Sequence, residues 1–122
     1  MDYVAYLQSF NSFGDRAELM EHYTQDARIE GANGVTPLDE FVEQLYDARD
    51  GVQVSATPIT VLGDEDALMA ELDITYTASR DRPDHPVVAL RAGESVTMRF
   101  FSVYELRDGK IARFSRSYWR VS

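Results

Sequence analysis

The run FFSVYELRDGKIARFSRSYW, residues 100 to 119, constrains the fold more than any other part of the sequence. Two stretches rich in apolar and aromatic residues flank the pair Asp108-Gly109. A type I′ turn needs positive φ at both central positions, and Asp-Gly is one of the pairs that adopt it readily. The run therefore predicts two antiparallel strands joined by a tight turn.

Two more runs of similar length come before this hairpin. Residues 52–62 and 67–79 are predicted as two strands that flank a turn at Gly63-Asp-Glu-Asp66. An irregular stretch follows, and the two strands of the Asp108-Gly109 hairpin are then expected at 94–106 and 110–121. Strands usually have about 5–6 residues, and these have about twice that number. Long antiparallel strands twist and coil, so we predict a sheet that curls around whatever packs on its concave side.

The first third of the chain has helical periodicity. Aromatic residues at positions 3, 6, 10 and 13 form one stripe of a helix over residues 2–13, which Gly14 can end in a left-handed conformation. Asp15 and Glu18 have the spacing of a capping box at the start of a second helix, to which we also assign Tyr23. A short strand is expected at 27–31.

A third helix follows Thr36, predicted as its cap, and Pro37, predicted as its first residue. Its apolar face is the clearest in the sequence: Leu38, Phe41, Val42, Leu45 and Tyr46. The chain is thus expected to form one α+β domain over residues 1–122. Three N-terminal helices would pack on a strongly curved, mostly antiparallel sheet, as in a cone.

The amino-acid composition argues against several classes of partner. The net charge of −9 repels phosphate backbones, so nucleic acid is not expected to bind. The absence of cysteine excludes disulfides and thiolate sites, and two histidines about sixty residues apart form no metal pattern, so no metal and no cofactor are predicted. Neither a membrane-spanning run nor a basic leader is present, which predicts a cytoplasmic protein without a membrane partner.

Pairing outward from Asp108-Gly109 without interruption places Tyr104 opposite Arg113 and Met98 opposite Trp119. This face mixes aromatic walls with a few polar groups, which is typical of a small-molecule site. The alternative is that the hydroxyl groups bond within a packed interior and that Arg113 reaches water. We predict a pocket for a small hydrophobic molecule lined by Tyr6, Phe10, Tyr46, Phe100, Ser102, Arg113 and Trp119.

The opposite face of the hairpin is also apolar. It is predicted to carry Phe101, Val103, Phe114 and Tyr118. When both faces of a sheet are apolar, both must be shielded from water, and the helices can pack on only one of them. We therefore expect a homodimer formed through the outer face of the sheet.

Three stretches carry a resemblance to a known family: FGDRAELMEHYTQDARIEG, TPLDEFVEQLYD and AGESVTMRFFSVYELRDGKIARFSRSYW. Together with the order of elements, they are similar to SnoaL-like members of the nuclear-transport-factor-2-like superfamily. That superfamily also includes ketosteroid isomerases, limonene-epoxide hydrolases and scytalone dehydratases. The resemblance implies the cone fold and an enzyme without cofactor, but it does not specify the reaction.

The catalytic residues of these enzymes are missing at most matching positions. The isomerase base falls on Gly31 and the isomerase oxyanion-hole acid on Ser102. The epoxide hydrolases have a carboxylate that matches Asp73, but their arginine falls on Glu71 and their second aspartate on Ser117. The Tyr118-Trp119 pair also lies one residue farther from the turn than in the family, and a bulge there would change the face of every later side chain.

Two candidate catalytic residues remain. Asp73 would act as a general base if it faced the pocket, whereas the alternative is that Asp73 and Glu71 face water. Tyr104 would donate a hydrogen bond to a developing oxyanion.

Two functions therefore stay open. One is a cyclase, isomerase, dehydratase or hydrolase acting on a hydrophobic carbonyl compound, and the other is a non-catalytic binding or dimerisation module. The discriminating feature is whether Asp73, Glu30 or Glu71 projects into the pocket, because general-base catalysis needs such a carboxylate.

Overall fold

A computed structural model describes all residues from 1 to 122. The elements in chain order are α1 (Tyr3–Ser12), α2 (Arg16–Met20), β1 (Tyr23–Gly31), β2 (Gly34–Pro37), α3 (Leu38–Ala48), β3 (Val52–Gly63), β4 (Ala67–Ala78), β5 (Ser95–Arg107) and β6 (Lys110–Arg120). The six strands form one open sheet in the order β2-β1-β6-β5-β4-β3, in which only the β1–β6 pair is parallel. The helices pack on the concave side of this curved sheet. The predicted α+β fold and the four long strands are confirmed, and none of the helices has the length and hydropathy of a membrane span.

The helix ends differ from the predicted ones in three places. Phe13, with φ 46°, takes the left-handed position that was predicted for Gly14. Asp15 does cap α2, since its carboxylate accepts a hydrogen bond from the Ala17 amide at 2.9 Å, but Tyr23 starts β1 instead of extending that helix. Pro37 precedes α3 without a side-chain cap, so the cap predicted at Thr36 is wrong.

The tight hairpin turn is confirmed, because φ is positive at both Asp108 (53°) and Gly109 (76°). The predicted register is wrong beyond the first pair. Leu106 pairs with Ile111, but the next pair joins Glu105 to Arg113, so Ala112 is an extra residue in β6. One extra residue on one strand is a β-bulge.

The bulge exchanges the two faces of β6, since side chains alternate along a strand. Tyr104 lies opposite Phe114 instead of Arg113, and the two rings are stacked with centroids 4.6 Å apart. Phe114 is buried on the concave face, whereas Arg113 and Trp119 lie on the outer face. The shift that the family spacing indicated is therefore present, and it starts close to the turn.

A single cluster of 27 buried apolar residues fills the space between the helices and the concave face of the sheet. A side chain of α1 also fixes that helix to β3. The Asn11 amide donates to the Ala56 carbonyl at 3.0 Å, and its oxygen accepts from the Ala56 amide at 2.8 Å. These two bonds hold the end of α1 over the sheet, with Phe10 beside it.

The long connection between β4 and β5 is attached to the end of α3 by two buried polar side chains. Arg82 is only 2% exposed and donates to the Asp47 and Asp50 carbonyls, the first at 2.9 Å. His85 donates from Nε2 to the Ala48 carbonyl at 2.9 Å, and its Nδ1 accepts from the Val87 amide at 3.1 Å. Burial lowers the pKa of His85, which favours the neutral ring that this arrangement requires.

Candidate ligand-binding site

A cavity of about 90 Å³ remains between the helices and the concave face of the sheet, and the space including its solvent-filled mouth is about 790 Å³. Its lining is mostly apolar: Tyr6, Leu7, Phe10, Phe41, Gln44, Leu45, Ala48, Arg49, Val54, Leu72, Ile74, Tyr76, Pro86, Val87, Phe100, Ser102, Tyr104, Phe114 and Arg116. A cavity of roughly 150 Å³ holds one benzene ring. A ligand larger than that must therefore extend into the mouth.

Four buried tyrosines form two hydroxyl pairs, and one member of each pair, Tyr104 and Tyr6, lines the cavity. The hydroxyl oxygens of Tyr3 and Tyr104 are 3.0 Å apart, and those of Tyr6 and Tyr23 are 2.5 Å apart. Burial raises the pKa of Tyr3 to about 12 and also raises the pKa values of Tyr6, Tyr23 and Tyr104 well above the ordinary tyrosine value. All four hydroxyls are thus protonated at neutral pH, and each can donate and accept at the same time.

Tyr76 provides a fifth hydroxyl. The residue is 3% exposed and lies on β4 with its ring edge-to-face against His85. Its hydroxyl forms no hydrogen bond within the protein, yet no fully enclosed polar atom is left without a partner. The Tyr76 hydroxyl therefore faces the open space of the cavity.

Gln44 and two arginines complete the polar lining. Arg116 of β6 lies over the Phe41 ring, 4.9 Å from its centroid, and Arg49 lies over the Phe13 ring at 4.2 Å. Arg49 also donates to the Phe10 carbonyl. Neither guanidinium is paired with a carboxylate, since every ion pair of the chain involves other arginines.

The three carboxylates considered as general bases lie on the other side of the sheet. Arg99 holds Asp73 with two bonds of 2.9 and 3.1 Å and keeps the pKa of that carboxyl below its usual value. Glu71 accepts from Thr60 at 3.1 Å. Glu30 accepts from Ser115 at 2.8 Å and from Arg113 at 3.2 Å.

The assignment of Asp73 to the pocket is corrected accordingly, because its position on β4 alternates with the inward residues. The alternative, in which Asp73 and Glu71 face outward, is the arrangement found. No three His, Asp or Glu side chains are grouped so that they could hold a metal ion.

Five of the residues predicted to bind or act on a ligand do line the cavity: Tyr6, Phe10, Phe100, Ser102 and Tyr104. Their role in binding stays a prediction. Three predicted lining residues lie elsewhere. The bulge at Ala112 turns Arg113 and Trp119 outward, and Tyr46 packs on Phe13 with ring centroids 4.5 Å apart, away from the cavity.

Sequence reasoning missed four polar lining residues, Gln44, Arg49, Tyr76 and Arg116. Tyr76 alternates with Asp73 along β4 and shares the inward face with Leu72 and Ile74, but no local pattern shows that its hydroxyl is free. Arg116 was placed on the outer face by the uninterrupted register. The only signal for Arg49 was its position at the end of the most amphipathic helix.

The predicted outer face also changes. Phe114 and Tyr118 are turned inward by the bulge, while Phe101 and Val103 remain outside. Phe101 is 43% exposed and stacks on Trp119 with centroids 5.1 Å apart. Leu62 and Met69 lie nearby on β3 and β4, beside a shallow groove. We call Leu62, Met69, Phe101, Val103 and Trp119 the outer patch.

Several solved structures share this fold. AclR from Streptomyces galilaeus superposes with a TM-score of 0.79 at 13% identity, over 96% of this chain and 72% of that one. A SnoaL-like polyketide cyclase from Agrobacterium tumefaciens gives 0.76 at 20% identity, over 96% and 87% of the two chains. An LEH-like epoxide hydrolase from M. tuberculosis superposes with a TM-score of 0.71 at 13% sequence identity, over 96% of this chain and 79% of that one. These similarities establish the fold alone.

By sequence, no curated protein matches the chain significantly. The family model of the SnoaL-like domain, in contrast, matches residues 3–114, which is nearly the whole chain. The cone, the cavity beneath its helices and this match lead to one conclusion: the chain belongs to the SnoaL-like domain family.

Proposed function

We propose that this protein is a cofactor-independent enzyme that converts a hydrophobic, carbonyl-bearing small molecule inside the cavity. The observation that carries the proposal is a set of protonated tyrosine hydroxyls that can donate hydrogen bonds within a mostly apolar cavity. Such donors stabilise negative charge that develops on a carbonyl oxygen, and they do so most strongly where water is excluded. Cyclisation, isomerisation and dehydration of carbonyl compounds pass through such an oxyanion when they proceed by way of an enolate.

Tyr104 is the donor that we place next to the substrate oxygen. Its hydroxyl lies 3.0 Å from that of Tyr3, which does not line the cavity. When Tyr3 donates to Tyr104, the proton of Tyr104 is free to point at a ligand. Because burial raises the pKa of Tyr104 well above its ordinary value, the hydroxyl stays neutral and acts as a donor, never as a base.

The proton that leaves the substrate carbon has no carboxylate acceptor in the cavity. The proposed reaction therefore suits substrates with an acidic carbon, such as the position between two carbonyl groups or a benzylic α-position. Stabilising the enolate lowers the pKa of that carbon acid, and water entering through the mouth can then accept the proton.

A second candidate function is non-catalytic binding of the same class of molecule. It is favoured by one observation, the position of Asp73, Glu71 and Glu30 on the outer face. Without a fixed base, the cavity can hold a carbonyl compound and release it unchanged.

Replacing Tyr104 by Phe separates these functions, and we use 2-tetralone as the probe. We expect the wild-type protein to bind this ketone and to accelerate deuterium exchange at its α-carbons in D₂O, followed by NMR. Removing an oxyanion donor typically slows a reaction by about 100-fold or more, so Tyr104→Phe should lose most of the acceleration while still binding. Tyr46→Phe, a tyrosine outside the cavity, is the matched control and should behave as wild type.

Each outcome decides between the candidates. Acceleration that survives in Tyr104→Phe would contradict the role of this hydroxyl. Binding without any acceleration would establish the non-catalytic candidate in place of the enzyme. A ketone that neither binds nor exchanges would overturn both.

We also propose that a second copy of the chain covers the outer patch. Burial of a large apolar side chain is worth about 1.5–3 kcal/mol, so several exposed together favour association. We expect a dimer in sedimentation velocity at micromolar concentration and a monomer after Phe101→Glu. A wild-type monomer at that concentration would contradict the proposal.

A further inference from the structure

Two of the eleven arginines are half-buried and have no carboxylate partner. Six form ion pairs with aspartate or glutamate, and Arg28, Arg91 and Arg120 are exposed to solvent. The remaining two, Arg49 and Arg116, both line the cavity. A buried charge is normally paired, because its removal from water is unfavourable.

Arg116 reaches the cavity because of the bulge at Ala112. Its guanidinium lies over Phe41 at 4.9 Å and beside Phe114 at 5.7 Å from the ring centroids. It forms no hydrogen bond with any side chain or main-chain group. Stacking uses the flat face of a guanidinium and leaves the N–H groups along its edge free, in the fork geometry that fits a carboxylate.

Arg49 lies at the mouth, between the rings of Phe10 (4.8 Å) and Phe13 (4.2 Å). One of its N–H groups is used by the Phe10 carbonyl, and the others remain available. Burial lowers the pKa of Arg49 to about 10, so the cation is retained at neutral pH but is less well stabilised than in water.

The Tyr76 hydroxyl provides a third free hydrogen-bond donor, and it lies close enough to Arg49 and Arg116 to interact electrostatically with both. Burial raises its pKa, while the positive charges of Arg116 and Arg49 act in the opposite direction. The charge of the cavity is also opposite to that of the whole chain. The protein carries a net charge of −9, yet none of the 19 lining residues is acidic.

We propose that the ligand of this cavity carries a carboxylate, held by Arg116 with help from Arg49 and Tyr76, and an apolar body that packs on Leu72, Ile74 and Phe100. The inference rests on the proposed small-molecule function of the same cavity and specifies the class of compound as a hydrophobic carboxylic acid. A carboxylate completes the missing ion pair. The positive charges of Arg49 and Arg116 also attract such an anion into the cavity, although the net negative charge of the protein repels it.

Two probes of nearly equal shape test the proposal, trans-cinnamate and benzylideneacetone. Both contain a phenyl ring joined through a trans double bond to a carbonyl carbon, and the ketone has a methyl group in place of one carboxylate oxygen. Bonds to a charged group are strong enough that we expect cinnamate to bind about 10- to 100-fold more tightly in calorimetry at pH 7 and low salt. Added sodium chloride should weaken only cinnamate.

The arginine variants identify the site. Arg116→Met should remove most of the preference for cinnamate and leave the ketone affinity unchanged, and Arg49→Met should reduce the preference in part. Arg120→Met is the matched control, since Arg120 lies on the same strand but is exposed and bonded only to the Ser122 carbonyl. If Arg116→Met fails to fold, the comparison of Arg49→Met with Arg120→Met and the dependence of cinnamate affinity on sodium chloride still test whether the cavity binds a carboxylate.

Failure of this inference is distinguishable from failure of the proposed function. Equal affinity for the two probes, or an equal effect of Arg116→Met and Arg120→Met, would overturn the carboxylate inference and leave a cavity for neutral carbonyl compounds. Tight cinnamate binding without exchange of 2-tetralone would support the inference and contradict the enzyme. Absence of binding by both probes would overturn the site itself.

Discussion

Replacing Phe114 by Ala is expected to lower the free energy of unfolding by about 3 kcal/mol. Truncation of a buried phenylalanine costs roughly 3–5 kcal/mol, and the lower end applies because this ring borders an existing cavity into which its neighbours can move. Phe114 is 5% exposed, stacks on Tyr104 at 4.6 Å and meets the edge of Phe41 at 5.8 Å. Urea denaturation followed by circular dichroism measures the change.

Phe101→Ala is the matched control for this prediction. Phe101 lies on the neighbouring strand, is 43% exposed in the single chain and has the same side chain, so at a concentration low enough to keep the protein monomeric its removal should cost less than about 1 kcal/mol. The uninterrupted register places both phenylalanines on the outer face, whereas the bulge places only Phe101 there. Equal losses of stability in the two variants would therefore contradict the bulged register.

The second large effect is expected for Arg82→Met, at about 2–4 kcal/mol of unfolding free energy. The side chain is buried and donates to the carbonyls of Asp47 and Asp50, which close the end of α3. Methionine fills a similar volume but donates no hydrogen bond, and a bond from a charged donor contributes about 1.5–3 kcal/mol. The loss per bond should lie near the lower value, because the Asp47 carbonyl keeps its hydrogen bond from the Asp50 amide. The neighbouring Asp47 and Asp84 carboxylates are mostly exposed, so their loss of a partner adds little.

Arg80→Met supplies the comparison within the same loop. Arg80 is paired with Asp50 at 2.8 Å, but both side chains are more than half exposed. Exposed pairs contribute about 0–1 kcal/mol, so this variant should be close to wild type in a chemical denaturation curve. A similar loss for the two arginines would show that the Arg82 hydrogen bonds do not hold the loop.

Local patterns were sufficient for most of the fold. The spacing of Leu38, Phe41 and Val42 predicted α3, and Asp108-Gly109 predicted the turn, because each signal is contained within a few residues. The length of β1 was underestimated and β2 was missed. Most of β1 pairs in parallel with β6. Because these two segments are far apart in the sequence, their pairing leaves no periodic pattern in either of them.

The candidate site depended on a single residue that no propensity identifies. Ala112 fits a regular strand as well as a bulge, yet it determines whether Arg113 or Phe114 faces the cavity. Only the family spacing of Tyr118-Trp119 indicated an irregularity. The side chains on β5, which lies before the bulge in the chain, were placed on the correct face, as Phe100, Ser102 and Tyr104 show.

The parallel pairing of the first strand with the last has a consequence for synthesis on the ribosome. Strands β3, β4 and β5 each pair with the next strand in the chain and can associate as it emerges, whereas the sheet neighbours of β1 are only β6 and the short β2. Glu30 and Ser115, which touch across that pair, are 85 residues apart. The edge of β1 that pairs with β6 must therefore stay unpaired until β6 has been translated, and closing so long a loop is a slow step of folding.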